Sequence, residues 1–419
     1  MHASIGHYLR NSGWLLADQA LRALSGFAVG IYVARYLGSE WYGSLNYAVA
    51  FVAIFSAIAR LGLDAVVIRG LVADPAQHDI LLGTTFWLRA AAAVLTVAAI
   101  VVSVRLVDES AEIQIYVILI ACGIVVQTID VTDLDFQAKA LSKYSSLCRM
   151  AQTVASAFAR LALVYMEAPL VAFVAMSLID QFVFAAALIV AYRRHGAFLF
   201  LRHFDRRMAR SLLASAMPLF VSSIMAGVYY RLDHVIVMDQ LGSRAVGIYS
   251  AGLRLTEALY VIPVAVTTAF FPALLAARGT GRPYEALLSG LYKGLLTFAL
   301  VTAIVVSAGS ARIVHVLFGA DFADAGAVLA VHAWILVPLC FSSVLGRWLV
   351  AEGLQDLMPR MAFAALATNI ASILLLAPLL GVVGVAVAAV VTQLVPIALY
   401  LSLYPRLRTH LRRTLLSAP

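Results

Sequence analysis

Charge is what this sequence has least of. Asp, Glu, Lys and Arg make up 12% of its 419 residues, where soluble proteins carry about 25%. That shortage excludes an ordinary soluble protein and leaves no polar stretch long enough for a soluble catalytic domain. The three cysteines, Cys122, Cys148 and Cys340, sit apart inside apolar stretches with no CxxC spacing, which excludes a disulfide framework and reads as small buried hydrophobes. No His/Cys/Asp grouping has zinc spacing, so neither metal nor cofactor is expected. A GxxxxGK[ST] loop is missing too, so ATP-driven transport by this chain has no support. The net charge of +8 is spread around apolar segments rather than gathered into a basic module, which argues against nucleic acid as a partner.

What the chain does have is apolar length: 63% of its residues are hydrophobic, arranged in runs of about 20 or more, each able to cross a hydrocarbon core of about 30 Å. The runs predict about twelve spans, near 12–36, 41–63, 79–106, 112–132, 144–166, 168–192, 211–238, 245–271, 287–309, 325–350, 359–380 and 383–404. All are expected to be helices, because lipid cannot satisfy free backbone groups and the alternation of a barrel strand does not occur. The N-terminal stretch has no small-residue cleavage site and reads as a retained first helix. Connections from odd to even spans hold only Arg35, Arg105, Arg244 and Arg312, while the opposite side holds most other basic residues. The positive-inside rule therefore predicts that both termini are cytoplasmic.

The longest basic stretch, Arg193 to Arg210, divides the chain. The expected organisation is an N-lobe at 1–192, a basic cytoplasmic linker at 193–210, a C-lobe at 211–404 and a basic cytoplasmic tail at 405–419. Apolar residues among the linker's arginines suit either a short interfacial helix or a solvated connection. An internal repeat supports the division: Leu37-Gly38-Ser39 followed by Gly43 recurs as Leu241-Gly242-Ser243 followed by Gly247, 204 residues later. Each copy closes one span and opens another. Six spans return the chain to its starting side, so the repeats are parallel. The fold class expected is an all-α polytopic membrane protein with about 12 transmembrane helices in two parallel six-helix lobes around a central cavity.

Taken together, certain residues resemble a known family. Ala34 to Gly43 (ARYLGSEWYG), Leu61-Gly62-Leu63-Asp64 and Arg69 are similar to the first two helices of polysaccharide-biosynthesis flippases of the O-antigen (Wzx) type. Those flippases belong to the multidrug/oligosaccharidyl-lipid/polysaccharide (MOP) exporter superfamily. Further matches are Leu241-Gly242 through Gly247-Ile248-Tyr249 with Glu257 and Pro272, Leu317-Phe318-Gly319 with Phe322 and Ala325, and Asn369, Pro378, Gly381, Gly384 and Thr392. The resemblance implies alternating access by two lobes that move an undecaprenyl-pyrophosphate-linked oligosaccharide across a bacterial inner membrane, with no catalysis. Its partners would be that lipid-linked substrate, membrane lipids, a proton or sodium ion, and other glycan-assembly proteins.

Ionisable side chains inside spans are expensive and mark cavities or partners. Asp18 and Arg22 lie four apart on the first helix and can pair; Arg254 and Glu257 are three apart in the other half. Each pair is either a self-neutralised packing element or an arginine held ready for pyrophosphate or an acidic sugar. Arg89, Arg160 and Arg231 are further substrate candidates, and Asp180 and Asp233 further coupling acids or charge partners. Asp180 has no obvious local partner and reads as a coupling acid or as a buried structural partner for one of the arginines, while Arg231 and Asp233 suggest pairing across the lobes near the outer face, as a gate. Arg60, Asp130, Arg149 and Lys293 fall near cytoplasmic helix ends, where snorkelling to headgroups is expected. Asp133-Leu134-Asp135 matches a DxD metal pattern but has no nucleotide-sugar domain beside it, and His332 reads as a hydrogen-bonded packing histidine or a proton relay. A multidrug or solute antiporter of the same superfamily is the alternative function, with a polytopic glycan polymerase or ligase behind it. All the expected outer loops are short for such an enzyme.

Overall fold

A computed structural model describes residues 2–107, 110–194, 198–354 and 356–415. Among these the chain is helical nearly throughout, with no strand. Ten helices are long and apolar enough to cross a membrane. The count falls below the expected twelve because two of the ten are continuous runs broken by a glycine. Helix α1 (His2–Arg60) contains Gly38 at φ 73°, ψ 173°, and α14 (Leu357–Leu403) contains Gly381 at φ 60°, ψ −142°. A Cβ disfavours this left-handed region, so glycine is the residue that breaks each run. At about 1.5 Å per residue, either helix is more than twice as long as a single core crossing of about 30 Å requires.

Two compact units emerge, one of residues Met1–Leu37 and Ser44–Leu232, the other of Gly38–Gly43 and Asp233–Pro419. The first contains most of α1, then α2 (Asp64–Ala73), α3 (His78–Val107), α4 (Ala111–Val126), α5 (Val131–Ala138), α6 (Ser142–Tyr165), α7 (Leu170–Arg193) and most of α8 (Arg206–Leu241). Its core gathers Leu63, Val67, Leu82, Phe136, Leu188 and Tyr192 around Phe200. Phe200 belongs to the basic linker, where Phe198–Arg202 forms a 3-10 turn. Fully buried, it meets Tyr192 edge-on at 5.9 Å. Trp87 Nε1 donates to the Leu201 carbonyl at 3.0 Å, and the Asp205 amide donates to Thr84 at 3.1 Å. The linker lies so close to α3 that a Cβ on Gly83 would fall 2.0 Å from the Phe200 carbonyl oxygen. Leu199 and Phe204 remain exposed.

The second unit contains α9 (Ser243–Leu259), α10 (Val261–Ala277), α11 (Arg282–Phe318), α12 (Ala325–His332), α13 (Leu336–Ala351), α14 and α15 (Pro405–Leu415). Its core joins Leu288, Tyr292, Leu336, Leu345 and Trp348 to Tyr400 and to Leu407 of the tail helix α15. The tail also buries His410, stacked on Trp348 with ring centroids 3.9 Å apart.

The repeat seen in the sequence has a structural use inside this second unit. A Cβ on Gly43 would lie 1.8 Å from the Ser243 carbonyl oxygen, and one on Gly247 would lie 1.8 Å from the Ser39 carbonyl oxygen. The two copies cross backbone to backbone, and each glycine accommodates the other copy's serine. Asp321 braces the same segment, accepting from the Ser39 amide at 2.5 Å with Arg244 3.5 Å away. The Ser39 amide bond holds the Asp321 carboxyl below its ordinary range.

Candidate functional site

The polar interior of the first unit is built from side chains that sequence distance keeps far apart. Asp18 on α1 is buried, with 4% of its side chain exposed. Its Oδ2 lies 3.2 Å from Arg22, one turn further along, and 3.6 Å from Arg149 on α6. Its Oδ1 has no hydrogen-bond partner among the described residues. Arg149 is anchored further, by Asp133 at 3.2 Å and by the Phe184 ring at 4.4 Å. Among the described residues Arg22 pairs with Asp18 alone and leaves 47% of its side chain exposed. One buried carboxylate thus serves two guanidiniums, a fixed one and an accessible one. Arg22 can turn to an incoming anion while Arg149 keeps Asp18 neutralised, which spares the cost of a lone buried charge.

Arg149, whose place near a helix end suggests snorkelling, is half-buried among these partners. Two carboxylates and a ring draw it inward instead. Asp180 has an arginine partner from outside its own helix: Arg160 on the antiparallel helix before it reaches Asp180 at 2.6 Å, with Ser156 donating at 3.0 Å. Arg89 is buried and pairs with Asp64. Arg231 is half-buried. Asp233 accepts from the Tyr249 hydroxyl at 2.6 Å and lies 2.8 Å from His234 Nδ1, so its close contacts are these two side chains rather than Arg231.

Two cavities follow this network within the first unit. One, of about 180 Å³, is lined by Arg60, Arg89, Gln127, Asp130, Asp133 and Arg149 among others. The other, of about 330 Å³, is lined by Gln127, Gln152, Arg160, Asp180 and Gln181 among others. Gln127 and Ile124 border both. Arg60, Asp130, Asp133 and Gln127 were not legible as site residues, because nothing in their own segments says that α1, α4, α5 and α6 converge on one chamber.

In the second unit Arg254 is half-buried on α9 and Glu257 exposed one turn on. His332 is buried and lies 2.7 Å from the Thr256 hydroxyl. Asn369 Nδ2 donates to Thr392 at 3.4 Å, and the buried Asn369 Oδ1 has no hydrogen-bond partner. The Asp133-Leu134-Asp135 pattern is occupied by ion pairs: Asp135 lies 2.7 Å from Lys139 and 2.8 Å from His78. Among the described residues no group of three or more His, Cys, Asp or Glu side chains could hold a metal.

Ten helices long and apolar enough to cross a membrane, carrying paired charges, define a helical, polytopic fold. The profile of the family described as Polysaccharide biosynthesis protein matches residues 8–277, and the chain belongs to that family. Among curated proteins none matches. Solved structures of the MOP superfamily share the fold. An inward-facing multidrug resistance MATE family transporter superposes with a TM-score of 0.75 at 17% identity, over 94% of this chain and 96% of its own. The lipid II flippase MurJ in an inward closed conformation gives 0.74 at 14% identity, over 96% and 90%. The Vibrio cholerae MATE transporter VcmN gives 0.63 at 14% identity, over 98% and 99%.

Proposed function

We propose that this protein is a flippase of a bacterial inner membrane that translocates an undecaprenyl-pyrophosphate-linked oligosaccharide by alternating access. The observation that carries this reading is the unequal sharing of Asp18: an exposed arginine rests on a buried carboxylate that already holds a second guanidinium. Such an arginine offers a planar fork matched to phosphate oxygens and can leave its partner at little cost. Arg22 in the first unit and Arg254 in the second each act as an anion hook, with Arg89, Arg160 and Arg231 completing the basic set. Asp18, Asp180, Glu257 and Asp233 are the charge partners, and a proton or sodium gradient drives the cycle. The open Oδ1 of Asp18 suits a coupling proton, and the open Oδ1 of Asn369 beside Thr392 suits a hard cation.

The breaks at Gly38 and Gly381 act as turns at the membrane surface, so the ten apolar helices make twelve crossings with both termini cytoplasmic. Lobes at 1–192 and 211–404, the linker at 193–210 and the tail at 405–419 are the working division. Other glycan-assembly proteins hand over and receive the substrate. The test is deletion: the undecaprenyl-linked repeat unit should accumulate on the cytoplasmic leaflet while surface glycan is lost. A multidrug antiporter is the second reading, favoured by the MATE transporters that share the fold. Unchanged surface glycan with new sensitivity to cationic dyes would select it.

A further inference from the structure

The smaller chamber of the first unit contains one feature that the anion hooks do not use. Its ionic groups are three arginines and three aspartates, Arg60, Arg89 and Arg149 against Asp64, Asp130 and Asp133. Two pairs are closed, Arg89 with Asp64 and Arg149 with Asp133. Arg60 and Asp130 remain. They sense each other's charge, yet among the described residues no hydrogen bond or ion pair within 4 Å engages either side chain. Arg89 is 5% exposed, and its Nε lies buried without an acceptor. Arg89 Nε is sealed from the chamber, whose wall presents one open donor group, Arg60, and one open acceptor, Asp130.

The balance of these groups selects the ligand. A phosphate offers acceptor oxygens only and would face the Asp130 carboxylate. A cation would face Arg60 and Arg89. A hydroxyl both donates and accepts, so a vicinal pair can donate to Asp130 while accepting from Arg60. The space of about 180 Å³ equals the share of about six water molecules at roughly 30 Å³ each, which is room for one pyranose ring. Gln127, also on the wall, adds an amide able to do both. We infer that this chamber is a sugar-binding subsite, taking one uncharged monosaccharide unit through its hydroxyls across the Arg60–Asp130 gap. The inference rests on the proposed transport of a sugar-bearing lipid and gives it a recognition element separate from the pyrophosphate hooks.

The test uses the full-length protein in lipid nanodiscs and ligand-observed saturation-transfer NMR. The probes are glucose, N-acetylglucosamine and inorganic pyrophosphate. An Arg22→Ala/Arg254→Ala background keeps pyrophosphate off the proposed hooks. In that background at least one sugar should bind saturably with a Kd of about 1 mM, and pyrophosphate should not displace it. Asp130→Asn leaves Arg60 uncompensated, so sugar binding should weaken about tenfold and pyrophosphate should now compete. Arg60→Gln, at an exposed position, should weaken sugar binding without admitting pyrophosphate, and it serves also if Asp130→Asn does not fold. No saturable sugar binding below roughly 50 mM, fifty times that Kd, means the chamber holds water only and overturns the inference. So does pyrophosphate displacing sugar before Asp130 is changed, or sugar binding indifferent to both substitutions. Loss of glycan export in the Arg22→Ala/Arg254→Ala protein with sugar binding intact supports the proposed function independently. Retained export with sugar binding intact refutes the hooks and leaves the subsite standing.

Discussion

Replacing Arg149 with Gln and Arg22 with Gln should have opposite signatures, although both arginines contact the same oxygen of Asp18. At 3.2–3.6 Å and an effective dielectric of about 20, each contact is worth roughly 5 kcal/mol before solvation costs. Net effects depend on what is left behind. Arg149→Gln strips Asp133 of its guanidinium, takes one of two from buried Asp18 and removes the cation over Phe184. Breaking buried pairs of this kind costs about 3–5 kcal/mol, a large part of a total stability of about 5–15 kcal/mol. Arg22→Gln removes a half-exposed partner while Arg149 stays, which costs about 0–1 kcal/mol. The assay is denaturant unfolding of the purified protein in mild detergent, run beside glycan export normalised to inserted protein. Arg149→Gln should lose stability and abundance. Arg22→Gln should keep both and lose export. Equal destabilisation by the two substitutions would refute the division of Asp18 between a fixed and a free arginine.

Other outcomes follow from single contacts. Asp180→Asn or Arg160→Gln should each destabilise by about 3 kcal/mol, and the exchanged pair Asp180→Arg/Arg160→Asp should recover part of the loss in unfolding measurements. Gly247→Ala, and likewise Gly43→Ala, places a Cβ 1.8 Å from a backbone carbonyl oxygen, so inserted protein on membrane blots should fall sharply, whereas Gly290→Ala, where a Cβ meets nothing within 4 Å, should be silent. Burial pushes His410 down to about 4 from its ordinary 6.5. The neutral ring is the one that docks, so the hold of α15 on Trp348 is full above pH 6.5, weakens as pH falls from 6.5 towards 4 and levels off below; amide exchange in 405–415 should quicken over that window, and His410→Gln should abolish the pH response. In a background without the three native cysteines, cysteines at 40, 167 and 243 should label from outside and those at 204, 280 and 409, exposed in the structure, only after permeabilisation.

The span pattern, the all-helical class, the repeat and the Asp18–Arg22 pair were legible because each is a local property: apolar run length, a glycine turn, four residues on one helix face. The arginine count was legible as well, but not its partners. Arg149 with Asp133 and Arg160 with Asp180 are separated by 16 and 20 residues, and they meet because helices pack antiparallel, which hydropathy does not report. For the same reason Arg60, Asp130 and Gln127 looked like ordinary helix-end residues until α1, α4 and α6 closed around them. Phe200 sat among arginines and suited a membrane surface equally well; its burial depends on Gly83, 117 positions earlier, having no side chain.

The central claim is that an arginine resting on a buried carboxylate captures a lipid pyrophosphate for transport. The most direct measurement is translocation of a fluorescent undecaprenyl-pyrophosphate-linked glycan in proteoliposomes holding the unaltered protein, Arg22→Ala or Arg22→Lys at equal reconstituted amounts. Movement across the bilayer is expected with the unaltered protein, none with Arg22→Ala, and a small recovery with Arg22→Lys, whose ammonium restores charge without the planar fork. Undiminished translocation by Arg22→Ala would contradict the claim.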